Sequence, residues 1–399
     1  MTPTLRNSVI AMSALACFSD AVLIAFYPQF FAQRYGVLSE FHTGTYVACI
    51  SLAVMVAFPL WARVARSIET LHLLVWTQAA AGVLCLMSTQ ATELWQYWAL
   101  SMAMFVCKSS YLLMYPYLLR LQSTEQHAGT VGVLSVVVHL VGIAGAAVGG
   151  GLLQSWGATG CLVFMAAGDF LQMAVCAWLL VSRRAVRVVE VRQPHRKASP
   201  AIWRLAGLML VFDFSAYLVG PFFTGYWQGL TGSADQVGAG LAYAVPAAMA
   251  LLGLGMNHRA RRNGRQPLDA LLPNRLLGAA GLLLQAAPSV PLLLLGRCLF
   301  GWALFQGIVK LETSVFKLST PDAYATDYAL ANFFQNLGVL LASLAAGWLI
   351  EAMGAPLIFV VAALGWLITV ALCPWALTPR QATADTTTSS LPEQQAQHA

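Results

Sequence analysis

The sequence predicts an all-α integral membrane protein with about twelve transmembrane helices in two related bundles of six. Of its 399 residues, 59% are apolar and only 10% are charged, whereas about a quarter of the residues in soluble domains are charged. Apolar runs of about 20 residues, the length that crosses the hydrocarbon layer, recur along the chain. Several distinctive residues also repeat in the same order in the second half. These observations exclude an ordinary soluble domain.

Twelve apolar runs are predicted to be spans 1 to 12. They lie near residues 8–30, 41–61, 71–90, 94–118, 129–153, 158–181, 203–227, 236–256, 271–288, 291–315, 328–350 and 355–377. The predicted division is therefore an N-terminal bundle (1–181), a basic linker (182–201), a C-terminal bundle (202–377) and a polar tail (378–399). The tail is rich in Thr and Gln, which is typical of disorder.

Basic residues predict the orientation, because they stay in short cytoplasmic loops. If the N-terminus is cytoplasmic, 18 of the 22 Lys and Arg residues fall on the cytoplasmic side. We therefore expect a multi-pass protein of the inner (plasma) membrane with both termini in the cytoplasm. The net charge of +6 then reflects topology, and nucleic-acid binding is a poor explanation for it. The first apolar run is expected to be a span and not a cleaved signal.

An internal repeat relates the two halves. A shift of 193 residues places Asp20 on Asp213, and each Asp is followed eight residues later by a Pro. The same shift places Gly36 on Gly229. Towards the end of each half a shift of 197 applies, and it matches the pairs His139 and Asn336, Gly150 and Gly347, and Gly157 and Gly354. Repeated halves are a common construction of secondary transporters.

Span 5 carries the stretch GIAGAAVGGG, residues 142–151. It resembles the antiporter signature gxxxGPxxGG of the major facilitator superfamily over Gly145, Gly149 and Gly150. Ala146 replaces the Pro of that signature, and Val141 replaces its first Gly. The resemblance therefore supports close helix packing more firmly than it supports exchange.

Three further segments resemble elements of the same superfamily. FPLWARVARS, from Phe58, resembles the loop motif GxLaDRxGRk through Leu60, Arg63 and Arg66, with Ala62 in place of the Asp. RRNGRQ keeps Arg262, Gly264 and Arg265, and RCLFG keeps Arg297 and Gly301 of an RxxxG element. The resemblance implies a major facilitator fold. It favours proton-driven exporters of drugs or metabolites, siderophore-type carboxylates included, with the arginines and span 5 glycines in gating.

Ionisable residues within spans are the candidates for ion coupling, since a charge at mid-membrane is costly unless it is paired or hydrated. Asp20 and Asp213 lie near the centres of spans 1 and 7, and burial favours protonation of a carboxylate. His139 in span 5 can titrate near neutral pH. The alternative for each residue is a structural hydrogen bond.

Other polar and aromatic residues are candidates for substrate binding. Lys108, Tyr111 and Tyr115 share one face of span 4 at i, i+3 and i+7, and Lys108 could neutralise Asp20 or hold an anionic substrate. Further candidates are Arg297 in span 10, the span 11 stripe of Asn332, Gln335 and Asn336, and the aromatic residues Tyr27 and Tyr217. Snorkelling, interhelical hydrogen bonding and core packing are their alternatives.

Three remaining charges within spans are given other roles. Asp169 lies in the middle of span 6, which is peripheral in the superfamily, and structural pairing is expected there. Lys310 and Glu312 in span 10 are predicted to form gate contacts between the halves.

These features predict secondary active transport by alternating access, with proton-coupled export of a small organic molecule. A proton-coupled importer of a small organic anion is the first alternative. A membrane protein of signalling or assembly that has lost transport is the second, motivated by the missing Asp of the loop motif. We expect no enzyme activity, cofactor or metal, because the sequence shows no catalytic pairing, metal-ligand spacing or phosphate loop. The expected partners are the substrate, protons and the lipid bilayer, and the expected state is a monomer.

Overall fold

The computed structural model describes residues 3–114, 117, 124–182, 198–262, 272–320 and 323–377. Some side chains within these ranges, among them those of Ser135 and His139, are outside the description. The helices are α1 Pro3–Ile24, α2 Tyr27–Tyr35, α3 Glu40–Val64, α4 Thr70–Ser88, α5 Leu94–Lys108, α6 Thr124–Val181, α7 Pro200–Tyr217, α8 Phe223–Thr231, α9 Gln236–Arg262, α10 Leu272–Gln285, α11 Val290–Leu318, α12 Tyr324–Met353 and α13 Pro356–Leu377. The described residues contain helices and no strands.

The chain is a multi-pass membrane protein. Nine of the described helical stretches are long and apolar enough to cross a bilayer. One of them, Leu140–Val181, covers both predicted spans 5 and 6. Each predicted span contains at least part of a helix, but the count of twelve crossings stays a prediction. Most of the predicted linker and the whole predicted tail lie outside the described residues.

Two glycines make the sharp turns between the last two predicted spans of each half. Gly157 interrupts α6 with φ 65° and ψ −168°, and Gly354 ends α12 with φ 91°. A side chain at such positive φ values would be strained, so glycine is the residue that fits. The sequence repeat pairs these two glycines, and the structure gives them the same local task.

The first predicted span of each half is broken into a long and a short helix. The short helices α2 and α8 have nine residues each and end at the left-handed glycines Gly36 and Gly232. Gly36 therefore corresponds to Gly232 and not, as predicted, to Gly229. The difference arises at the break, where the second half contains an additional 3₁₀ turn, Gly220–Phe222.

Buried apolar side chains gather into clusters that follow the two halves. One cluster joins α1 to α6 and includes Ala239 of α9, and a smaller one joins the ends of α1, α4 and α6. A further cluster joins α7 to α13. The ionisable residues described next lie among these apolar clusters, where an unpaired charge would be costly.

Candidate functional site

A buried ion cluster joins α1, α5 and α6. The Nζ atom of Lys108 lies 2.5 Å from Oδ1 of Asp20 and 2.8 Å from Oδ1 of Asp169. The side chains of Lys108 and Asp169 are 3% and 1% exposed, whereas that of Asp20 is 23% exposed. Two carboxylates thus share one ammonium group. If both are ionised the cluster carries one surplus negative charge, and one bound proton makes it neutral.

The position of Lys108 follows from the local helix geometry. It is the last residue of α5, where a cation interacts favourably with the helix dipole. A 3₁₀ turn, Ser109–Leu113, follows directly and contains Tyr111. The predicted α-helical face is therefore not continuous, although residues at i and i+3 of a 3₁₀ helix also lie above one another. Tyr115 lies outside the described residues.

Asp169 belongs to the ion cluster, whereas the sequence predicts only structural pairing for it on a peripheral helix. It lies in the second segment of α6 and reaches the same ammonium group as Asp20. The preceding Gly168 explains the close approach, because a Cβ atom there would lie 2.6 Å from Cβ of Ser19 in α1. The sequence does contain a signal for this contact, the consecutive Gly168 and Asp169 at the middle of a span. A charge there needs a partner, and the glycine allows a neighbouring helix to come close.

A second acidic cluster lies in the other half and joins α7, α11 and α12. Nε2 of Gln335 donates a hydrogen bond to Oε1 of Glu312 at 3.3 Å, and Gln335 also lies beside Asp213. Glu312 is close enough to Asp213 for charge repulsion. Oδ2 of Asp213 is buried and has no hydrogen-bond partner among the described residues. A carboxylate in this setting is a natural acceptor for a proton or for a donor group of a substrate.

The predicted polar stripe of α12 divides into two parts. Gln335 joins the acidic cluster, whereas Nδ2 of Asn336 donates to the backbone oxygen and to Oδ1 of Asn332, at 2.8 and 3.0 Å. All three side chains are half-buried. The side chain of His139, the repeat partner of Asn336, lies outside the description.

Two of the predicted tyrosines lie near residues of helices α1 and α7. Sγ of Cys17, one turn before Asp20, lies 3.9 Å from the hydroxyl oxygen of Tyr111. Tyr217 is within electrostatic range of both Cys17 and Asp213. These predicted substrate contacts therefore lie where the two halves meet.

The third predicted tyrosine belongs to the apolar core. Tyr27 is 2% exposed, and its ring centroid lies 4.9 Å from that of Tyr46 and 6.0 Å from that of Phe31. This enclosure matches the alternative of core packing.

Arg297 is buried against the kink of α9. A proline inside a helix frees the carbonyl group four residues earlier, and here Pro246 frees the carbonyl group of Ala242. Nε of Arg297 donates to this oxygen at 3.4 Å, and Nη2 donates to the backbone oxygen of Tyr243 at 2.5 Å. Its guanidinium carbon also lies 4.1 Å from the ring centroid of Phe223. The geometry thus gives Arg297 a structural task at this kink.

The predicted gating residues fall into two groups. Gly145, Gly149 and Gly150 let α6 approach its neighbours, since a Cβ atom at Gly145 would lie 2.8 Å from the backbone oxygen of Phe18. Arg63, Arg66 and Arg262 are exposed near the ends of α3 and α9, while Gly264 and Arg265 lie outside the described residues. Close packing is therefore the observed role of the glycine motif.

One end of the molecule is closed by contacts between the halves. Gly347 of α12 packs on the backbone of Glu40 and Phe41 in α3, and Gly150 of α6 packs on Gln236 of α9. Oε2 of Glu351 accepts hydrogen bonds from Oγ of Ser39 and the backbone nitrogen of Phe41, both at 3.0 Å.

The repeat-related contact closes the other side of this end. Oε1 of Gln154 accepts hydrogen bonds from the backbone nitrogens of Gln236 and Val237, both at 3.1 Å. Nε2 of Gln29 in α2 donates to Thr224 and Gln228 of α8, also at 3.1 Å. We call these contacts the closed end. It lies opposite the beginning of α1 and the end of α13.

Solved structures with the same arrangement of helices are transporters. A bacterial homologue of the human lysosomal transporter Spinster, in an inward-facing and occupied conformation, has a TM-score of 0.72 and 13% identity over 94% of this chain and 97% of its own. The human organic anion transporter MFSD10 (TETRAN) has a TM-score of 0.69 and 15% identity over 93% and 100%. The chain has the major facilitator fold.

A third structure agrees with this assignment. The D323A mutant of the nucleoside transporter NupG has a TM-score of 0.66 and 11% identity, over 94% of this chain and 100% of its own. No protein-family model and no curated protein sequence matches the chain. The similarity thus concerns the fold, and the chemistry must be argued from the side chains.

Proposed function

We propose that the protein is a secondary active transporter that works by alternating access and couples transport to protons. The observation that carries this proposal is the ion cluster, in which Asp20 and Asp169 share the single ammonium group of Lys108. Such a cluster has room for one proton on its carboxylates. Intramembrane carboxylates of this kind are typical of proton relays in transporters.

The exposure of Asp20 makes it the proposed point of proton exchange. Its side chain is 23% exposed, compared with 1% for Asp169. A proton from the aqueous cavity therefore reaches Asp20 first, and Asp169 keeps the ammonium group in place. Protonation of Asp20 weakens its ion pair with Lys108 and frees α1 to move relative to α5 and α6.

The closed end supports alternating access between two bundles, 1–181 and 202–377. Its contacts come from the halves in repeat-related pairs, so that separation of the halves there would open the molecule on that side. With both termini in the cytoplasm, the closed end faces outward and the conformation is inward-facing. The membrane is the inner (plasma) membrane, and the transporter is a monomer.

The proposed cargo is a small organic metabolite or drug, with a siderophore-type carboxylate as one candidate, and the proposed direction is export. Tyr111 and Tyr217 both lie near Cys17, and each offers an apolar ring with a polar tip to such a molecule. Import of a small organic anion is the second candidate. It is motivated by the incomplete antiporter motif of span 5 and by the similarity to the organic anion transporter. The pairing of Lys108 with two aspartates weighs against it, because this ammonium group has no surplus charge for an anionic substrate.

Proton coupling is tested in inverted membrane vesicles that are acidified inside. Addition of a transported compound, with ethidium and citrate as first probes, releases protons and restores the fluorescence of a pH-sensitive dye. We expect Asp20→Asn to lower this signal at least about tenfold, because the group that exchanges the proton is gone. The control is Asp235→Asn, an exposed acid that caps α9 and whose cap an Asn preserves.

Three outcomes would contradict parts of the proposal. Wild-type signals from Asp20→Asn would remove this residue from coupling. Binding of compounds to the purified protein without any movement into vesicles, at every pH, would favour a signalling or assembly protein. The reversed response, proton entry together with citrate, would favour the importer.

A further inference from the structure

A cavity in the second half lies between α7, α11 and α13. Its volume is about 40 Å³, more than the space that one water needs and far less than the pocket of a drug-sized ligand. Phe212, Leu311, Trp366 and Val370 form apolar walls. The cavity therefore has room for a small head group and the first carbons of an apolar chain.

The cavity lies between the repeat counterparts of the three helices that form the ion cluster. The ion cluster lies between α1, α5 and the second segment of α6, and the repeat relates these to α7, α11 and α13. The shift of 197 places the buried Asp169 on Trp366, which lines the cavity. Where the first half places a second carboxylate, the second half has an aromatic wall beside the cavity.

Two residues that carry hydrogen-bond donors line this space. Gln306 is 4% exposed, its Oε1 atom accepts a hydrogen bond from Asn257 at 3.2 Å, and its Nε2 atom is buried without a partner among the described residues. Lys310, one turn later on α11, also lines the cavity and has no ion pair within the described part of the chain. A buried donor without an acceptor is costly, so a bound acceptor is favoured.

We propose that this cavity is an anion-binding site, separate from the space between the two halves, that takes the carboxylate of an amphiphilic monoanion. Lys310 supplies the positive charge, and Nε2 of Gln306 donates the hydrogen bond that orients the carboxylate. The apolar walls accept the first carbons of the chain. The sequence predicts that Lys310 forms a gate contact between the halves. In the structure Lys310 instead lines a cavity whose other residues all belong to the second half.

The proposal is tested by calorimetric titration of octanoate into the full-length protein in phosphatidylcholine nanodiscs. We expect saturable binding that is weakened at least about tenfold by Lys310→Gln, because a charged hydrogen bond is lost. Gln306→Glu is expected to weaken binding similarly, since it keeps the acceptor for Asn257 and introduces a repelling charge. Lys310→Arg should keep most of the affinity, and the exposed Lys317→Gln should leave it unchanged.

Octanamide has the same chain as octanoate but no charge, so it tests whether the heat of binding comes only from partition into lipid. We expect octanamide not to compete with octanoate. Oleate incorporated in the bilayer separates the two sources of such an anion: competition with octanoate indicates a lipid acid, and its absence a soluble one. Equal octanoate binding by wild type and Lys310→Gln, or no saturable binding by wild type, would overturn the proposal. Since Asp20 is untouched, proton release in the vesicle assay reports separately on transport.

Discussion

The single ammonium group of Lys108 pairs with two carboxylates, and this imbalance of charge is the main feature of the molecule at the scale of residues. Asp169 is fully enclosed and Asp20 is partly exposed. Breaking a buried ion pair by removing one partner commonly costs about 3–5 kcal/mol, because the remaining charge has no compensation. Removal of the lysine should therefore be more harmful than removal of either acid.

We predict that Lys108→Met lowers the thermal unfolding temperature of the detergent-purified protein by several degrees at pH 8. The loss should become smaller at pH 5, because a carboxylate that has lost its counter-ion in an apolar setting is more easily neutralised at the lower pH. Adding Asp169→Asn should recover part of the stability at pH 8. Differential scanning fluorimetry measures all three.

The matched control for this prediction is Lys317→Met, which removes an exposed lysine from the end of α11. It should change the unfolding temperature little, since surface charges contribute little to stability. An equal loss in the control, or a loss in Lys108→Met that does not depend on pH, would contradict the charge argument.

Residue type and span position predicted the members of the site better than their partners. Asp20 and Lys108 are recognisable from the sequence because a charge within a span is costly unless it is paired or hydrated. Of the two roles predicted for Lys108, neutralising Asp20 and holding an anionic substrate, the structure shows the first. The sequence places Asp169 at the periphery because span 6 is peripheral. A side chain on a peripheral helix can nevertheless contact the neighbouring helices where a glycine allows close packing, as Gly168 does here. The side chain of Arg297 carries no sequence signal that distinguishes a substrate contact from a contact with the kink at Pro246.

At the scale of elements, glycines decide how closely α6 packs on α1 and α9. A Cβ atom at Gly149 would collide with the backbone oxygen of Val22 in α1, and one at Gly150 with that of Gln236 in α9. The neighbouring Gly151 has nothing within 4 Å of such a Cβ atom. Three consecutive glycines therefore offer a comparison in which only the surroundings differ.

We predict that Gly149→Ala and Gly150→Ala each lower the unfolding temperature, because backbone atoms of the neighbouring helices must move. Gly151→Ala should be neutral or stabilising by up to about 1 kcal/mol, since alanine is the better helix former. Thermal unfolding of the three variants in the same detergent provides the measurement. Equal effects at all three positions would show that packing of α6 is not specific.

The repeat shows why helix positions were easier to predict than their exact correspondence. Apolar runs reveal where helices cross, but a break within a span adds residues without changing hydropathy. The 3₁₀ turn Gly220–Phe222 is such an addition, and it displaces the counterpart of Gly36 from Gly229 to Gly232. Only backbone angles identify the residue that ends each short helix.

At the scale of the whole molecule, the two halves keep one architecture but use it differently. The closed end is nearly symmetric, since Gln154 and Glu351 each accept hydrogen bonds from the helix that begins beside them. The interiors are not symmetric, because the first half contains a lysine between two aspartates and the second contains two acids and a separate cavity. In the proposed mechanism the symmetric ends permit the halves to rock, while the ion cluster of the first half binds the proton.

The closed end leads to a prediction about the whole transport cycle. Gln29 of α2 and Gln228 of α8 touch across the halves at 3.1 Å, so cysteines at these two positions should be joined by a short bis-methanethiosulfonate, which forms a reducible disulfide with each thiol and releases sulfinate. Joining them should abolish proton release in the vesicle assay, because the halves can no longer separate at this end, and a reductant should restore it. Each single cysteine variant with the same reagent serves as the control for the natural cysteines. Full activity after complete cross-linking would mean that this end does not open during transport, and that the cycle uses a movement other than rocking of the two halves.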